Sequence, residues 1–130
     1  MAKPIFENTA VNKSLGLRLV STETGKAVIE MDANDTYTQE KGVIHGGILS
    51  TLADTAAVYS FMPDLPEHLL CGSIEFKVNF LAPAMAGKGT LTAEGKVVKK
   101  GSRVIVCEST VHQGEKVIAT GLFSYLVWER

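Results

Sequence analysis

At 130 residues, with 45% hydrophobic and 21% charged side chains, the chain has the composition of one globular domain spanning 1–130 around a single core. Thirteen basic against fourteen acidic residues leave a formal net charge of −1, so no global field draws it to nucleic acid or a membrane surface. No apolar run approaches the roughly 18 residues of a membrane span, and Met1 to Ala10 lacks a signal-peptide pattern, so the expected home is the cytoplasm.

Two short strands are expected first, Leu15–Val20 and Lys26–Met31, flanking the hairpin signal Thr24-Gly25. Asp32 to Gly42 reads as a polar loop rich in turn formers. From Gly46 the sequence GGILSTLADTAAVYSFM has helical length and composition, and Pro63 stops it near Met62. Four strands follow. Ser73–Leu81 alternates, with Ile74, Phe76, Val78 and Phe80 on the expected buried face and Ser73, Glu75, Lys77, Asn79 and Leu81 opposite. Lys88–Lys100, Arg103–Gln113 and Lys116–Trp128 are separated by the turns Lys100-Gly101-Ser102 and Gln113-Gly114-Glu115. The last strand is apolar on both faces, Val117, Ala119, Phe123, Tyr125 and Val127 against Ile118, Leu122, Leu126 and Trp128, and is expected to be covered on both sides. One helix against an antiparallel sheet makes an α+β layer architecture.

Cys71 and Cys107 read as two thiols rather than a disulfide in a reducing compartment. His45, His68 and His112 show no ligand spacing with each other or with the cysteines, so no metal site is expected. His68, in the loop after the helix, reads as an ordinary surface histidine.

The chemistry concentrates on the helix. At 100° per residue, Ile48, Leu49, Leu52, Ala53, Ala56, Tyr59 and Ser60 gather on the face expected to meet the sheet. Asp54 falls on the far side with Ser50, Thr51, Val58 and Phe61. A solvated aspartate on an exposed face is the commonplace alternative to a functional carboxylate. Gly46 and Gly47 open the helix, where the first N–H groups lack intrahelical partners and the macrodipole places roughly half a positive charge. A carbonyl oxygen gaining negative charge is stabilised at such a point, although Gly-Gly before a helix is also an ordinary tight turn. Eight positions separate Gly46 from Asp54, about 12 Å at 1.5 Å rise, too far for both to act on one carbonyl. If both are catalytic, each site draws on two chains related by a two-fold axis.

These residues, His45-Gly46-Gly47, Leu52-Ala53-Asp54, Asn79-Phe80-Leu81-Ala82-Pro83 and Ala119-Thr120-Gly121, resemble the hotdog-fold acyl-CoA thioesterases. The likeness is to the PaaI-like branch, which includes 4-hydroxybenzoyl-CoA thioesterase relatives with a helix-borne carboxylate. It runs from about Leu15 onward, and the nine-residue step from His45 to Asp54 is its most specific element. The resemblance implies one long central helix wrapped by an antiparallel sheet of five to six strands. It implies that the Gly46 N–H polarises the thioester carbonyl, that His45 supports the turn, and that Asp54 either attacks the carbonyl carbon or acts as general base on water. Gln39 then matches a residue that positions substrate or water, and Ser73 one beside the carboxylate.

For CoA, the resemblance implies contacts from Gly47, from Asn79 and Pro83 along a pantetheine channel, and from the basic hairpin Lys100, Gly101, Ser102 and Arg103 toward the phosphates. CoA thioester is the substrate and no cofactor is expected. The expected assembly is a homodimer with composite sites, paired further into a dimer of dimers, with neither nucleic acid nor membrane as a partner. The alternative from a different class is a non-catalytic acyl-CoA sensor on the same fold, which generally needs an attached effector segment.

Overall fold

Short turns join most of the strands, and a turn of a few residues can be closed only by an antiparallel neighbour. In the computed structural model, which describes residues 2–130, β1 (Arg18–Glu23) and β2 (Lys26–Met31) meet at Gly25, whose φ of 80° suits glycine. Later come β3 (Leu69–Phe80), β4 (Leu91–Lys100), β5 (Val104–Gln113) and β6 (Lys116–Glu129). All pairings are antiparallel, in the order β1-β2-β4-β5-β6-β3, so β1 and β3 are the edges. This is the expected α+β hotdog arrangement with six strands.

The long helix α3 (Gly46–Tyr59) lies across β2, β4, β5 and β6. Leu49, Leu52, Ala53, Ala56, Tyr59 and the following Ser60 are buried, as the helical periodicity indicates. The helix approaches the sheet closely because small residues face each other. A Cβ on Gly95 of β4 would lie 2.2 Å from the Ala56 carbonyl oxygen, so only glycine admits the helix backbone at this point. The α-helix ends three residues before the expected Met62. Ser60 donates both its N–H and, at 2.6 Å, its hydroxyl to the Ala57 carbonyl, which tightens the last turn. Met62–Asp64 then forms a separate 3-10 turn.

Two helices appear that were not expected, α1 (Ala2–Asn8) and α2 (Ala10–Leu15); the second takes Leu15 from the expected first strand, which begins instead at Arg18 after the left-handed Gly16. At 7 and 6 residues they are too short to display a helical period, and helices of this length persist only through packing. Phe6, 1% exposed, packs edge-on against Tyr59 with ring centroids 5.1 Å apart. Among the described residues no helix is long and apolar enough to cross a membrane. Cys71 and Cys107 are free thiols.

Strand alternation is broken by bulges. Extra residues at Val20, Ile74 and Val98 interrupt the ladders, and all three are more than half exposed. The bulge at Ile74 overturns the expected faces of β3. Ser73 pairs with Tyr125 and Phe76 with Phe123, so Ser73 shares the helix-facing side with Phe76, Val78 and Phe80. That side is apolar yet largely open, because α3 meets the edge strand only at its start, where Gly46 lies against the Phe80 ring: Phe76 is 48% and Phe80 54% exposed. In β6 a fourth irregularity, opposite Val111 and His112, turns Ile118 inward with Ala119 and leaves Val117 outside. The outer face of β6 is not covered within the chain, since Leu122, Leu126 and Trp128 are exposed.

Because the Ala56 carbonyl sits against Gly95, Gly95→Ala is expected to lower the unfolding free energy by about 1–3 kcal/mol or more through overpacking, read from urea denaturation midpoints. The same change at Gly87, where an added Cβ meets nothing within 4 Å, tests the effect of a glycine with positive φ alone.

Candidate active site

The turn before α3 is held on both sides by backbone hydrogen bonds. Ile44 N–H donates to the Ala84 carbonyl and His45 N–H to the Tyr37 carbonyl, each at 2.8 Å. His45 is the N-cap, with extended φ and ψ of −60° and 135°, and its Nδ1 accepts from the Gly47 N–H at 2.9 Å. With Nδ1 engaged as an acceptor, Nε2 is the ring nitrogen left to donate. Ile48 and Leu49 N–H groups both reach the His45 carbonyl, at 3.0 and 3.2 Å. One amide of the first turn is left over. The Gly46 N–H meets no acceptor among the described residues, and Gly46 lines a cleft of about 460 Å³.

Gln39, Ile44, Gly46, Leu49, Phe80 and Pro83 are among the residues lining that cleft. A Cβ on Gly46 would lie 3.2 Å from the Phe80 ring, and one on Gly47 would lie 3.1 Å from the His45 ring nitrogen. Both glycines keep space clear, one beside the cleft wall and one for the capping imidazole. The Gly47 amide is occupied by His45, so a contact from Gly47 to CoA through its N–H is ruled out in this arrangement. Gln39 reaches the cleft from a tight loop in which its own N–H donates to the Val43 carbonyl at 2.8 Å and Lys41 takes a left-handed φ of 57°.

Asp54 stands two turns along the helix from this cleft, and its surroundings differ from the expectation that it faces away from the sheet. It sits at the flank of α3, half-buried, where Oδ1 accepts a 2.5 Å hydrogen bond from the Tyr125 hydroxyl of β6. Burial pushes the Asp54 carboxyl up from its ordinary range, and the Tyr125 hydrogen bond partly offsets this by favouring the charged form. Tyr125 itself is pushed well above the usual phenol range, by burial first and then by its bond to Asp54, and stays protonated. Tyr125 pairs with Ser73 across the β3–β6 ladder, so the bulge at Ile74 brings Ser73 to the carboxylate's side of the sheet.

Tyr125 is the residue that reading the sequence as alternating faces assigns only to the core. A buried tyrosine in an otherwise apolar row is a usable signal, because its hydroxyl needs a partner where phenylalanine would need none.

The remaining candidates are dispersed. Asn79 pairs with Thr120 on the outer face, in a hollow with Lys77 and Glu108 that is separate, within one chain, from the cleft lined by Pro83. The Lys100-Gly101-Ser102-Arg103 hairpin is closed by a Gly101 N–H to Val104 carbonyl bond of 2.9 Å, with Lys100, Ser102 and Arg103 exposed. It lies at the far end of β4 from the cleft, roughly 30 Å along nine residues of strand. His68 is exposed, and its carbonyl accepts from the Arg130 N–H near the end of the chain.

Residues 41–120 match the family model described as Thioesterase superfamily, a stretch that contains the helix-opening turn, Asp54 and Ser73. The acyl-coenzyme A thioesterase PaaI of Escherichia coli is 33% identical over 119 residues, covering 91% of this chain and 82% of the relative. The 1,4-dihydroxy-2-naphthoyl-CoA hydrolase of Listeria monocytogenes is 33% identical over 95 residues, covering 72% of this chain and 76% of the relative. Among solved structures, a thioesterase family protein from Silicibacter pomeroyi superposes with a TM-score of 0.89 at 30% identity, covering 98% of this chain and 96% of the other. The E. coli PaaI protein superposes with a TM-score of 0.87 at 28% identity, covering 96% and 88%. With the family model spanning more than half its length and relatives of this likeness on either side of it, the chain belongs to the Thioesterase superfamily, on its PaaI-like branch of hotdog thioester hydrolases.

Proposed function

We propose that the chain hydrolyses acyl-CoA thioesters carrying an aryl or a medium- to long-chain acyl group, at sites that each draw on two copies of the chain. The observation that carries this reading is the Gly46 amide: a helix-opening N–H without an acceptor, at the wall of a cleft, beside a residue with no side chain. A thioester oxygen placed there receives a preorganised donor, a contribution of about 3–4 kcal/mol to a transition state that gathers negative charge. The names of the E. coli and Listeria relatives support CoA thioesters as the substrate class.

Asp54 supplies the carboxylate by one of two routes. As general base it takes a proton from water while the water oxygen attacks the carbonyl carbon, and collapse of the tetrahedral intermediate breaks the C–S bond and releases CoA. As nucleophile its oxygen bonds to the carbonyl carbon and expels CoA, leaving a mixed anhydride that water then hydrolyses. Both routes need the ionised carboxylate and draw only on groups of the chain and water. Ser73 and Gln39 serve as positioning groups, Ser73 beside the carboxylate and Gln39 at the cleft.

The two-chain site follows from helix geometry. About 12 Å of rise separates Gly46 from Asp54, so the glycine of one chain works with the aspartate of a two-fold mate. The unpaired edge strand β3, 12 residues long with Ile74, Phe76 and Phe80 exposed, supports pairing with a second copy there. Antiparallel pairing of two β3 edges would set the hairpin end of one sheet beside the cleft end of the other, which supports Lys100 and Arg103 as contacts for CoA phosphates. The exposed apolar stripe of Val104, Leu122, Leu126 and Trp128 on the outer face supports a further contact between dimers. Free thiols at Cys71 and Cys107 suit a cytoplasmic setting.

Release of CoA thiol from benzoyl-CoA and decanoyl-CoA, followed with a colorimetric thiol reagent, tests the activity. Asp54→Ala is expected to lower kcat by about 10²-fold or more while the protein stays folded. Wild-type protein that binds CoA yet turns over no aryl, medium-chain or long-chain thioester would make the chain a binding module instead.

The buried carboxylate also makes a statement about stability. Its folded pKa is raised, so its contribution is fully present below the unfolded value of about 3.9 and is lost as pH rises through the folded value. Asp54→Asn, which keeps an acceptor for Tyr125, is therefore expected to match or exceed the wild-type Tm at pH 7. The Tm advantage should shrink as pH falls toward 4, in thermal scans across that range.

Mixed dimers test the composite site. Chains carrying Asp54→Ala and chains carrying Gly46→Val are each expected to be nearly inactive alone. A 1:1 mixture, refolded together, should regain up to about a quarter of wild-type activity, because half the dimers are hybrids with one intact site. Verified hybrids without activity would rule out sites shared between chains.

A further inference from the structure

Tyr125 is 1% exposed, and phenylalanine would fill the same space. Its ring packs against Phe61 with centroids 5.1 Å apart at 55°, and its ladder neighbours are Ile105 of β5 and Ser73 of β3. A phenol hydroxyl in such a place costs free energy unless it is hydrogen-bonded. Its partner is the carboxylate of Asp54, at 2.5 Å, with the Asp54 backbone oxygen 3.2 Å away. Among the described residues Asp54 Oδ1 accepts no other hydrogen bond and Oδ2 accepts none.

We propose that Tyr125 is the positioning residue of the catalytic carboxylate: its hydroxyl holds Asp54 Oδ1 against β6, so that Oδ2 is the oxygen presented to water or to the thioester carbon. This rests on the reading of Asp54 as the catalytic carboxylate. The side chain of Asp54 is otherwise free to rotate about its Cα–Cβ and Cβ–Cγ bonds. One strong hydrogen bond from a side chain locked in the core removes that freedom, so that Oδ2 alone takes the proton from water or bonds to the carbonyl carbon as the C–S bond breaks.

The same hydrogen bond bears on ionisation. The titratable groups that face Tyr125 are Asp54 from α3, Cys107 from β5 and Cys71 from β3. Burial pushes both thiols up, so they are neutral at pH 7, and Asp54 is the group whose ionisation the Tyr125 hydroxyl bears on directly. Removing the hydroxyl leaves the burial of Asp54 unopposed by its donor, and the carboxyl is then protonated to a higher pH.

The test is Tyr125→Phe in the full chain, compared with wild type and Asp54→Ala, with benzoyl-CoA and decanoyl-CoA as substrates. The expected result is a fall in kcat of about tenfold to a hundredfold with KM changed less than about twofold, and an acid limb of the kcat–pH profile displaced to higher pH. The 13C carboxyl titration of Asp54, which needs no turnover, should move in the same direction. An unchanged kcat, acid limb and carboxyl titration in Tyr125→Phe, alongside an inactive Asp54→Ala, would reduce Tyr125 to a packing residue. An active Asp54→Ala would instead overturn the catalytic reading on which the proposal rests. Should Tyr125→Phe fail to fold, protein labelled throughout with 3-fluorotyrosine carries a more acidic phenol at position 125. Its acid limb and carboxyl titration should move to lower pH, and their staying in place would overturn the proposal.

Discussion

The contact of α3 with β4 at Gly95 and Ala56 sets the depth at which the helix lies in the sheet, and the candidate site depends on that depth. With a Cβ at position 95 excluded by a backbone oxygen 2.2 Å away, the helix rests on strand backbone instead of on side chains. Ala53, Ala56 and Ala57 carry the same economy along the helix. At this depth a tyrosine on β6 reaches the flank of the helix and ends on Asp54. A helix standing one side-chain layer higher would put that carboxylate into solvent, out of reach of Tyr125, and its burial and its single fixed oxygen would both be lost.

The positions of β2, β5 and β6 were legible in the sequence because hairpin turns and β-branched residues mark them, and the helix start was legible because Gly46 and Gly47 interrupt an apolar run. The bulges were not. Nothing at Ile74 distinguishes an inserted residue from one in alternation: it is β-branched and apolar, as a strand residue should be. Yet that insertion decides which face Ser73 occupies, and a one-residue slip moves every side chain beyond it. The two N-terminal helices escaped notice for a different reason. They owe their existence to tertiary contacts such as Phe6 on Tyr59, and no window of six or seven residues carries that information.

The site candidates divide along the same line. Gly46 and His45 follow from local rules of helix termini, where the order of residues dictates which amide is capped and which is left open. Gln39 joined the cleft through a loop whose course depends on the bond from its N–H to Val43. Asn79 and Pro83 are near neighbours in the chain, yet strand geometry sends Asn79 to the outer face while Pro83 lines the cleft. The partner of Asp54 lies 71 residues away, so the interaction that shapes its chemistry belongs to the sheet register alone.

A carboxylate and a polarising amide on one straight helix cannot be brought together by any rotation of side chains, since their separation is a property of backbone rise. Two remedies exist in principle: bend the helix, or use a second one. Bending is closed off here, because α3 is a continuous run of 14 residues seated on the sheet at Gly95 and capped by His45. In the site proposed above, a second copy of the chain would supply the other helix and leave the first unbent. In the proposed two-chain site, the open apolar face of β3 at the sheet edge is both the surface that would draw the copy in and a wall of the site it would complete. In such an arrangement stability and chemistry share one interface. A substitution that loosens the β3 edge would reduce turnover even where Gly46 and Asp54 are intact.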